Sequence, residues 1–250
     1  MRDTDRDWAK VAQVDPYWAV LSDDRFRGQD IGDAEREIFF RSGEQTIDWI
    51  FAVIRRHLVA DFAPARSLEY GCGVGRLLIP IARHSGEAIG VDVAPRMLEL
   101  SATHLRQAGV TNARVMPADD DLMRQDALFD FINSFLVLQH VPPERGYQVI
   151  GNLLRLLKPG GVAALQCTYA RPASWATIPA ANYLRQDGTV LARDNRSDMP
   201  FGEGTILMFD YDLDQIMVLF AEAGMAPVIV YHTGEHIGHL GVHLFIRKPE

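Results

Sequence analysis

The hydrophobic pattern between residues 44 and 167 alternates short apolar runs with longer segments that have helical spacing. The short runs predict strands at residues 67–70, 88–91, 113–116, 129–133 and 162–167. Segments with apolar residues at helical spacing lie between them and predict helices, which begin at Pro95 and Pro143 in two cases. Because the strands are mainly apolar, and short strands alternate with helices along the chain, the pattern predicts a mainly parallel sheet with helices on both faces.

The segments on either side of this core have different patterns. Residues 1–43 mix aromatic side chains with charges and predict an N-terminal arm or lid, after which Ser42 and Gln45 have the capping-box spacing that would begin the first core helix. Residues 168–209 are rich in Pro, Gly, Arg, Asn and Asp and are too long for a simple loop, so we expect an inserted cap.

Residues 210–250 return to the core pattern, with a helix at 213–223 and strands at 227–231 and 240–247. The link between these two strands is too short for a parallel crossover. The sequence therefore predicts an α/β protein with a Rossmann-like, doubly wound sheet of seven strands. The sheet is mostly parallel with an antiparallel last strand, and residues 44–167 and 210–250 form the core.

Composition and charge narrow the range of partners. The chain has 250 residues, with 25 Lys and Arg against 33 Asp and Glu, and a net charge of −8 that disfavours a nucleic-acid partner. Cys72 and Cys167 are far apart, which favours free thiols and a cytoplasmic location. No apolar run approaches the roughly 18 residues of a membrane span, and residues 1–7 contain no signal core. We expect a cytoplasmic protein with no membrane partner.

The most informative local pattern is the segment EYGCGVG, residues 69–75, at the end of the first strand. Glycines there permit positive φ and let a ligand approach the backbone. The spacing G-x-G-x-G with Arg76 next disfavours a nicotinamide or flavin, since the dinucleotide fingerprint needs a small residue at that position. Asp92 ends the second strand, where a carboxylate accepts ribose hydroxyls, and Asp119 and Asp120 follow the third. Together these acids predict an adenosine site.

With these motifs, the sequence resembles the class I S-adenosylmethionine-dependent methyltransferases. The matching segments are residues 67–76, 90–98, 129–134 and 157–161, and the resemblance covers residues 44–167 well and the final helix and strands more loosely. It implies S-adenosylmethionine as cofactor, with Glu69 and the glycine backbone at its amino-acid portion and Asp92 at its ribose. The cofactor contacts that the resemblance implies are Arg41, Glu69, Gly71, Cys72, Gly73, Gly75, Asp92, Val93, Met97, Asp119, Asp120, Ser134 and Phe135.

The acceptor side is predicted from position alone. Since a sulfonium already activates its methyl group, the protein mainly positions a nucleophile and excludes water. His140, after the fourth strand, is the candidate general base for an oxygen acceptor, and a structural role is its alternative. Candidate acceptor contacts are Tyr17 and Trp18 in the arm and Tyr169, Arg171, Trp175 and Met208 in the cap.

Four histidines near the C-terminus, His232, His236, His239 and His243, have a spacing that suggests a metal cluster. They fall on two strands and the turn between them, with no Cys, so no metal site is predicted. The sequence thus predicts methyl transfer to a small molecule, preferably at an oxygen atom. The alternatives are a methyltransferase acting on protein or RNA and a non-catalytic cofactor-binding protein. The oligomeric state is left open.

Overall fold

The strands assemble mainly into one seven-stranded sheet, seen here in a computed structural model that describes residues 4–118, 128–170, 183–186, 189–192, 207–233 and 240–250. The strands within the described residues are, in chain order, β1 (Arg66–Tyr70), β2 (Glu87–Asp92), β3 (Ala113–Pro117), β4 (Phe129–Ser134), β5 (Leu157–Ala170), β6 (Tyr183–Gln186), β7 (Thr189–Ala192), β8 (Leu207–Phe209), β9 (Val228–Thr233) and β10 (Leu240–Arg247). The order across the large sheet is β3-β2-β1-β4-β5-β10-β9.

The sheet topology confirms the predicted fold class. β1 pairs in parallel with β2 and β4, and the outer pairs β2–β3 and β4–β5 are parallel as well. β10 runs antiparallel to both β5 and β9, as the short link between the last two strands requires. β5 begins earlier than its apolar run predicts, since Leu157 already pairs with Phe129 of β4, and the Lys158 ammonium lies 2.9 Å from the Asp130 carboxylate beside this pairing.

Helices cover the sheet and carry its core. They are α1 (Thr4–Val14), α2 (Pro16–Val20), α3 (Asp33–His57), α4 (Leu78–Arg83), α5 (Pro95–Gln107), α6 (Pro143–Arg155) and α7 (Leu213–Glu222). One face packs on α6 and α7, the other on α3 and α4, and a third apolar cluster joins the N-terminal helices to α5. Among the described helices, none has the length and apolar character needed to cross a membrane.

The predicted start of the first core helix is wrong. α3 begins at Asp33 and runs through Ser42, whose hydroxyl donates to the carbonyl of Phe39 at 2.6 Å instead of capping a helix. Phe39 is fully buried against the rings of Tyr17 and Phe26, and this packing extends the helix toward the N-terminus. The predicted boundary after residue 43 therefore falls inside a helix.

The inserted region contains a second, smaller sheet. β6, β7 and β8 pair antiparallel, and β8 leads back to the large sheet at the end of β5. The Thr168 hydroxyl donates to the carbonyl of Phe209 at 2.8 Å, and the Tyr211 amide donates to the carbonyl of Thr168 at 2.8 Å. These bonds fix where the insertion rejoins the core. Its function as a cap stays a prediction.

Candidate functional site

A cavity opens at the carboxyl ends of β1, β2 and β4, the edge where an open α/β sheet binds ligands. The loops after these strands line it, and the N-terminal helices and the region around His140 form its other walls. The predicted cofactor residues that line it are Gly71, Gly73, Asp92, Val93, Met97 and Phe135. The structure therefore brings together residues from three separate motifs of the sequence.

The glycine loop between β1 and α4 reverses the chain beneath this cavity. The amides of Gly71 and Cys72 both donate to the carbonyl of Val91, at 2.8 and 2.9 Å. Gly71 has a φ of +79°, and a Cβ there would overlap the side chain of Val137. A side chain at this position would be strained and would also displace the opposite wall of the cavity. This close approach explains why the turn needs glycine.

Asp92 is held at the cavity by the backbone. One carboxylate oxygen accepts the Gly73 amide at 2.9 Å and the other accepts the Ala94 amide at 2.9 Å. A carboxylate offers about four lone-pair sites, and Asp92 lines the cavity, so acceptor capacity remains for a ligand. Burial raises the pKa of Asp92 to about 6, and the backbone hydrogen bonds oppose that rise. At neutral pH the carboxylate form therefore predominates, and it acts only as a hydrogen-bond acceptor.

The side of the cavity next to Asp92 is apolar. Val93 and the buried Met97, at the start of α5, line it together with Ala118 after β3. Such surfaces pack on a flat, apolar ring face. Asp119 and Asp120, expected at the adenine amine, lie outside the described residues.

Behind the lining lie Glu69, Cys72, Gly75 and Ser134, all of them buried. The Glu69 carboxyl has one oxygen without a hydrogen-bond partner among the described residues. Burial raises the pKa of Glu69 well above its usual value, Asp92 adds to the rise, and Arg76 opposes it. Burial likewise raises the pKa of the Cys72 thiol, so this cysteine is not a thiolate nucleophile.

Arg76 is the buried cation that sequence reasoning used only to disfavour a dinucleotide. Its guanidinium donates to the Ser42 hydroxyl at 3.3 Å and lies 5.9 Å from the ring centre of Phe135. Burial lowers its pKa to about 10, and the charge of Glu69 limits the decrease. Its position directly after the glycine loop was the sequence feature that could have identified it.

The position of Arg41 does not support its predicted contact with the cofactor. This residue lies on the solvent side of α3, where its guanidinium, 59% exposed, pairs with Glu37 one turn earlier. The predicted helix start placed Arg41 just before the helix, whereas it lies in its third turn and faces away from the cavity. We remove Arg41 from the candidate site.

His140 reaches the cavity, as its position after β4 predicted. It ends a short 3-10 turn, Leu138–His140, and the Tyr211 hydroxyl lies 2.9 and 2.8 Å from the carbonyls of Leu138 and Val141. Its imidazole packs edge-on against the indole of Trp8, with ring centres 4.8 Å apart. The structure thus brings His140 to the site, while its role as a base stays a prediction.

The N-terminal wall is built from residues other than the predicted ones. Tyr17 is buried beneath the wall, with its hydroxyl 2.9 Å from the imidazole of His104, and Trp18 stacks on the Arg27 guanidinium at 3.6 Å. The residues of α1 and α2 that line the cavity are Thr4, Asp5, Trp8, Ala19 and Val20. The predicted contacts of Tyr17 and Trp18 are therefore not supported, although the arm itself reaches the site.

The structure does not support the predicted acceptor contacts in the inserted region that it describes. Tyr169 and the half-buried Met208 do not line this cavity; the Tyr169 hydroxyl lies 3.4 Å from the imidazole of His232. Arg171 and Trp175 lie outside the described residues.

The structure describes two of the four histidines near the C-terminus. His232 is exposed and His243 is buried on neighbouring strands, whereas His236 and His239 lie outside the described residues. Across the ranges that the structure describes, no three His, Cys, Asp or Glu side chains are grouped to hold a metal ion.

Comparison with known proteins agrees with this geometry. Residues 68–161 match the protein family described as a methyltransferase domain. A ubiquinone biosynthesis O-methyltransferase from Xanthomonas oryzae pv. oryzae is 32% identical over 126 residues, 50% of this chain and 52% of that protein. The chain thus spans about half the length of the curated relatives it matches.

Two solved structures share the fold over nearly the whole chain. Magnesium protoporphyrin IX methyltransferase from Synechocystis PCC 6803, with bound S-adenosylhomocysteine, has a TM-score of 0.61 at 16% identity and covers 94% of this chain and 97% of its own. The N-methyltransferase NodS from Bradyrhizobium japonicum, also with S-adenosylhomocysteine, has a TM-score of 0.57 at 17% identity. The alignment covers 98% of this chain and 100% of NodS.

Proposed function

Residues 68–161 match a methyltransferase domain, and on that premise we propose that the chain is a class I S-adenosylmethionine-dependent methyltransferase that methylates an oxygen atom of a small molecule. The observation that supports cofactor binding best is the position of Asp92. Its carboxylate lines the cavity and is fixed there by backbone amides, and a carboxylate so held still has acceptor capacity for a ligand. The two vicinal hydroxyls of a ribose fit such an acceptor pair.

The chain's own residues would bind the cofactor, orient the methyl acceptor and shield the transfer site from water. When bound, S-adenosylmethionine supplies a methyl group activated by its sulfonium. Gly71 and Gly73 let the ligand approach the backbone, while Val93 and Met97 pack on the adenine ring. Trp8, on the N-terminal wall, excludes water from the transfer site.

A hydroxyl acceptor must lose its proton during methylation, and His140 lines the cavity where such a base would act. The relatives named ubiquinone biosynthesis O-methyltransferase favour an oxygen atom on a small molecule. The net charge of −8 disfavours RNA as acceptor. A cytoplasmic location stays a prediction.

The test has two stages. Isothermal calorimetry with S-adenosylmethionine, S-adenosylhomocysteine and NAD should give saturable binding of the first two and no comparable binding of NAD. A screen with methyl-labelled S-adenosylmethionine against small phenols, carboxylic acids, amines and thiols should then label phenols or carboxylic acids. Binding of NAD without S-adenosylhomocysteine would refute the cofactor assignment. Labelling of amines or thiols alone would refute the oxygen acceptor.

A further inference from the structure

Tyr211 lies where the inserted region rejoins the core, and its hydroxyl reaches the turn that carries His140. The side chain is 2% exposed and belongs to the core on the face covered by α6 and α7. Its hydroxyl lies 2.9 Å from the carbonyl of Leu138 and 2.8 Å from that of Val141. These carbonyls stand on either side of His140 in the chain. We call residues 138–141 the His140 turn.

The direction of these hydrogen bonds follows from the groups involved. A carbonyl oxygen only accepts, so the Tyr211 hydroxyl is the donor and shares its hydrogen between the two oxygens. Burial raises the pKa of Tyr211, so the hydroxyl keeps this hydrogen at physiological pH. The Leu138 carbonyl also accepts the amide of Val141 at 2.9 Å. The His140 turn is thus closed by its own backbone and anchored to the core by the Tyr211 side chain.

The core fixes the position of Tyr211 through both its ring and its backbone. Gly146 of α6 lies so close that a Cβ added there would overlap the Tyr211 hydroxyl. The ring of Tyr147 packs edge-on against the Tyr211 ring, with ring centres 5.5 Å apart. The Tyr211 amide donates to the carbonyl of Thr168, near the end of β5, at 2.8 Å. These contacts set the position of the hydroxyl independently of the turn that it binds.

The His140 turn has one side in the core and one side at the cavity. Leu138 is 1% exposed and packs in the same core cluster as Tyr211. His140 and Val141 line the cavity, where the His140 imidazole meets the Trp8 indole with ring centres 4.8 Å apart. The anchor on the core side therefore determines where the imidazole lies on the cavity side.

The other end of this cavity wall is anchored in a similar way. Leu136, which also lines the cavity, has a φ of +61°, a conformation that few residues other than glycine adopt. Its amide donates to the side-chain oxygen of the buried Gln166 at 2.9 Å. Such a conformation persists only where the surrounding structure holds it, and it is commonest at functional sites. Side chains from the core thus hold the wall on both sides of residue 137.

We propose that Tyr211 is a positioning residue for methyl transfer: by holding the His140 turn, its hydroxyl places the His140 imidazole against the methyl acceptor. This inference rests on the proposed function, in which His140 takes the proton of a hydroxyl acceptor. Tyr211 is not among the described residues that line the cavity, so its effect on the reaction passes through His140. A base displaced by about 1 Å can slow a reaction by about 10²-fold.

The first experiment needs no methyl acceptor. It uses the full chain, saturated with S-adenosylhomocysteine and labelled with ¹³C-histidine, and follows the imidazole proton signals by NMR. The signals of His140 are identified by their loss in His140→Ala. Because the ring current of Trp8 acts on them, their chemical shifts report the distance between the two rings. Tyr211→Phe should move these signals toward those of an exposed histidine.

Tyr147→Phe is the matched control, because the Tyr147 hydroxyl also binds a backbone group in the same cluster, accepting the Asp212 amide at 2.9 Å. It should leave the His140 signals in place. Gly146→Ala is a second variant, since its Cβ displaces the Tyr211 hydroxyl without removing it, and it should move the signals as Tyr211→Phe does. If Tyr211→Phe does not fold, Gly146→Ala decides. Unmoved His140 signals in the folded variant would overturn the inference.

The second experiment measures methyl transfer to a phenol or carboxylic acid that the labelling screen identifies. Tyr211→Phe should lower kcat at least about tenfold, while the affinity for S-adenosylhomocysteine stays within about threefold. Tyr147→Phe should keep both values. A parallel loss of kcat and cofactor affinity in Tyr211→Phe would show a purely structural role. Absence of S-adenosylhomocysteine binding by the unmodified protein would refute the proposed function, whereas normal binding with an unmoved His140 refutes only this inference.

Discussion

The carboxylate of Asp92 accepts the backbone amide of Gly73 at 2.9 Å, and this bond joins the end of β2 to the glycine loop that follows β1. The Ala94 amide holds the other oxygen at the same distance. The acid is thus oriented before any ligand arrives, which lowers the entropic cost of binding. Gly73 and Asp92, 19 residues apart in the sequence, thus belong to one site with hydrogen-bond acceptors for a ligand.

Asp92→Asn should weaken S-adenosylhomocysteine binding at least tenfold, because charge-assisted hydrogen bonds are worth about 1.5–3 kcal/mol each. The same substitution removes a charge that burial disfavours, but it also replaces one accepting oxygen with an NH2 group and leaves a backbone amide without its acceptor, so the melting temperature of the ligand-free protein at pH 7.5 is measured as the control for the fold. Calorimetry and thermal unfolding measure the two effects. Glu87→Gln is the control: it lies at the opposite end of β2, 43% exposed and paired with Arg66, and should leave binding unchanged. Normal affinity in Asp92→Asn would remove Asp92 from the site.

The affinity for S-adenosylhomocysteine should fall as the pH decreases through about 6, the raised pKa of Asp92. Below that value the ligand-free protein holds a proton on this carboxyl, which then accepts ribose hydroxyls poorly. The decrease should approach about tenfold per pH unit for one proton. Calorimetry between pH 5 and 8 tests it, and the slope should vanish in Asp92→Asn. A slope that persists in the variant would assign the titration to another group.

The fold and the meeting of Gly71 with Asp92 at the cavity were predictable because both depend on short-range pattern. Apolar runs bounded by turns give the strands, and the positions of Gly71 and Asp92 at strand ends place them at one edge of the sheet. The N-terminal arm was not predictable in this way. Tyr17 and Trp18 were expected at the site, yet Trp8 lines it, because helical periodicity does not show which face of a short helix meets the cavity.

The predictions for Arg41 and for the start of α3 were wrong for a related reason. Ser42 and Gln45 have capping-box spacing, but the packing of Phe39 on Tyr17 stabilises two further turns of helix before them. Tertiary contacts between distant segments therefore overrode a local preference.

Gly71→Ala should reduce both stability and cofactor binding. Its φ of +79° costs an alanine roughly 1–2 kcal/mol, and the new Cβ overlaps Val137 at the cavity wall. Gly109→Ala is a matched control, because Gly109 has a φ of +67° but a Cβ added there would meet nothing within 4 Å. It should lower the melting temperature alone. Adding Val137→Ala to Gly71→Ala should restore part of the S-adenosylhomocysteine affinity; no recovery would contradict the proposed overlap.

Tyr17→Phe should destabilise the protein and should leave binding of the methyl acceptor unchanged. The carbonyl of Val74 only accepts, so the His104 Nδ1, 2.8 Å away, donates to it, and Nε2 accepts the Tyr17 hydroxyl. Removing that hydroxyl leaves a buried acceptor unpaired, which costs about 1–3 kcal/mol. Chemical denaturation measures the loss. A stable Tyr17→Phe with an altered KM for the acceptor would instead restore Tyr17 to the substrate site.

His140→Ala should lower methyl-transfer turnover about 10²–10⁴-fold, the usual contribution of a general base, while S-adenosylhomocysteine affinity changes little. The test uses an oxygen acceptor found in the screen and measures turnover, cofactor affinity and melting temperature on the same variant. Because His140 packs on Trp8, Trp8→Phe is the companion variant: it keeps an aromatic ring at the contact and should retain turnover within about tenfold. A structural His140 would lower stability and cofactor binding together with turnover. Near-normal turnover in a folded His140→Ala would mean that positioning alone drives the transfer, and an amine or thiol acceptor would then be favoured.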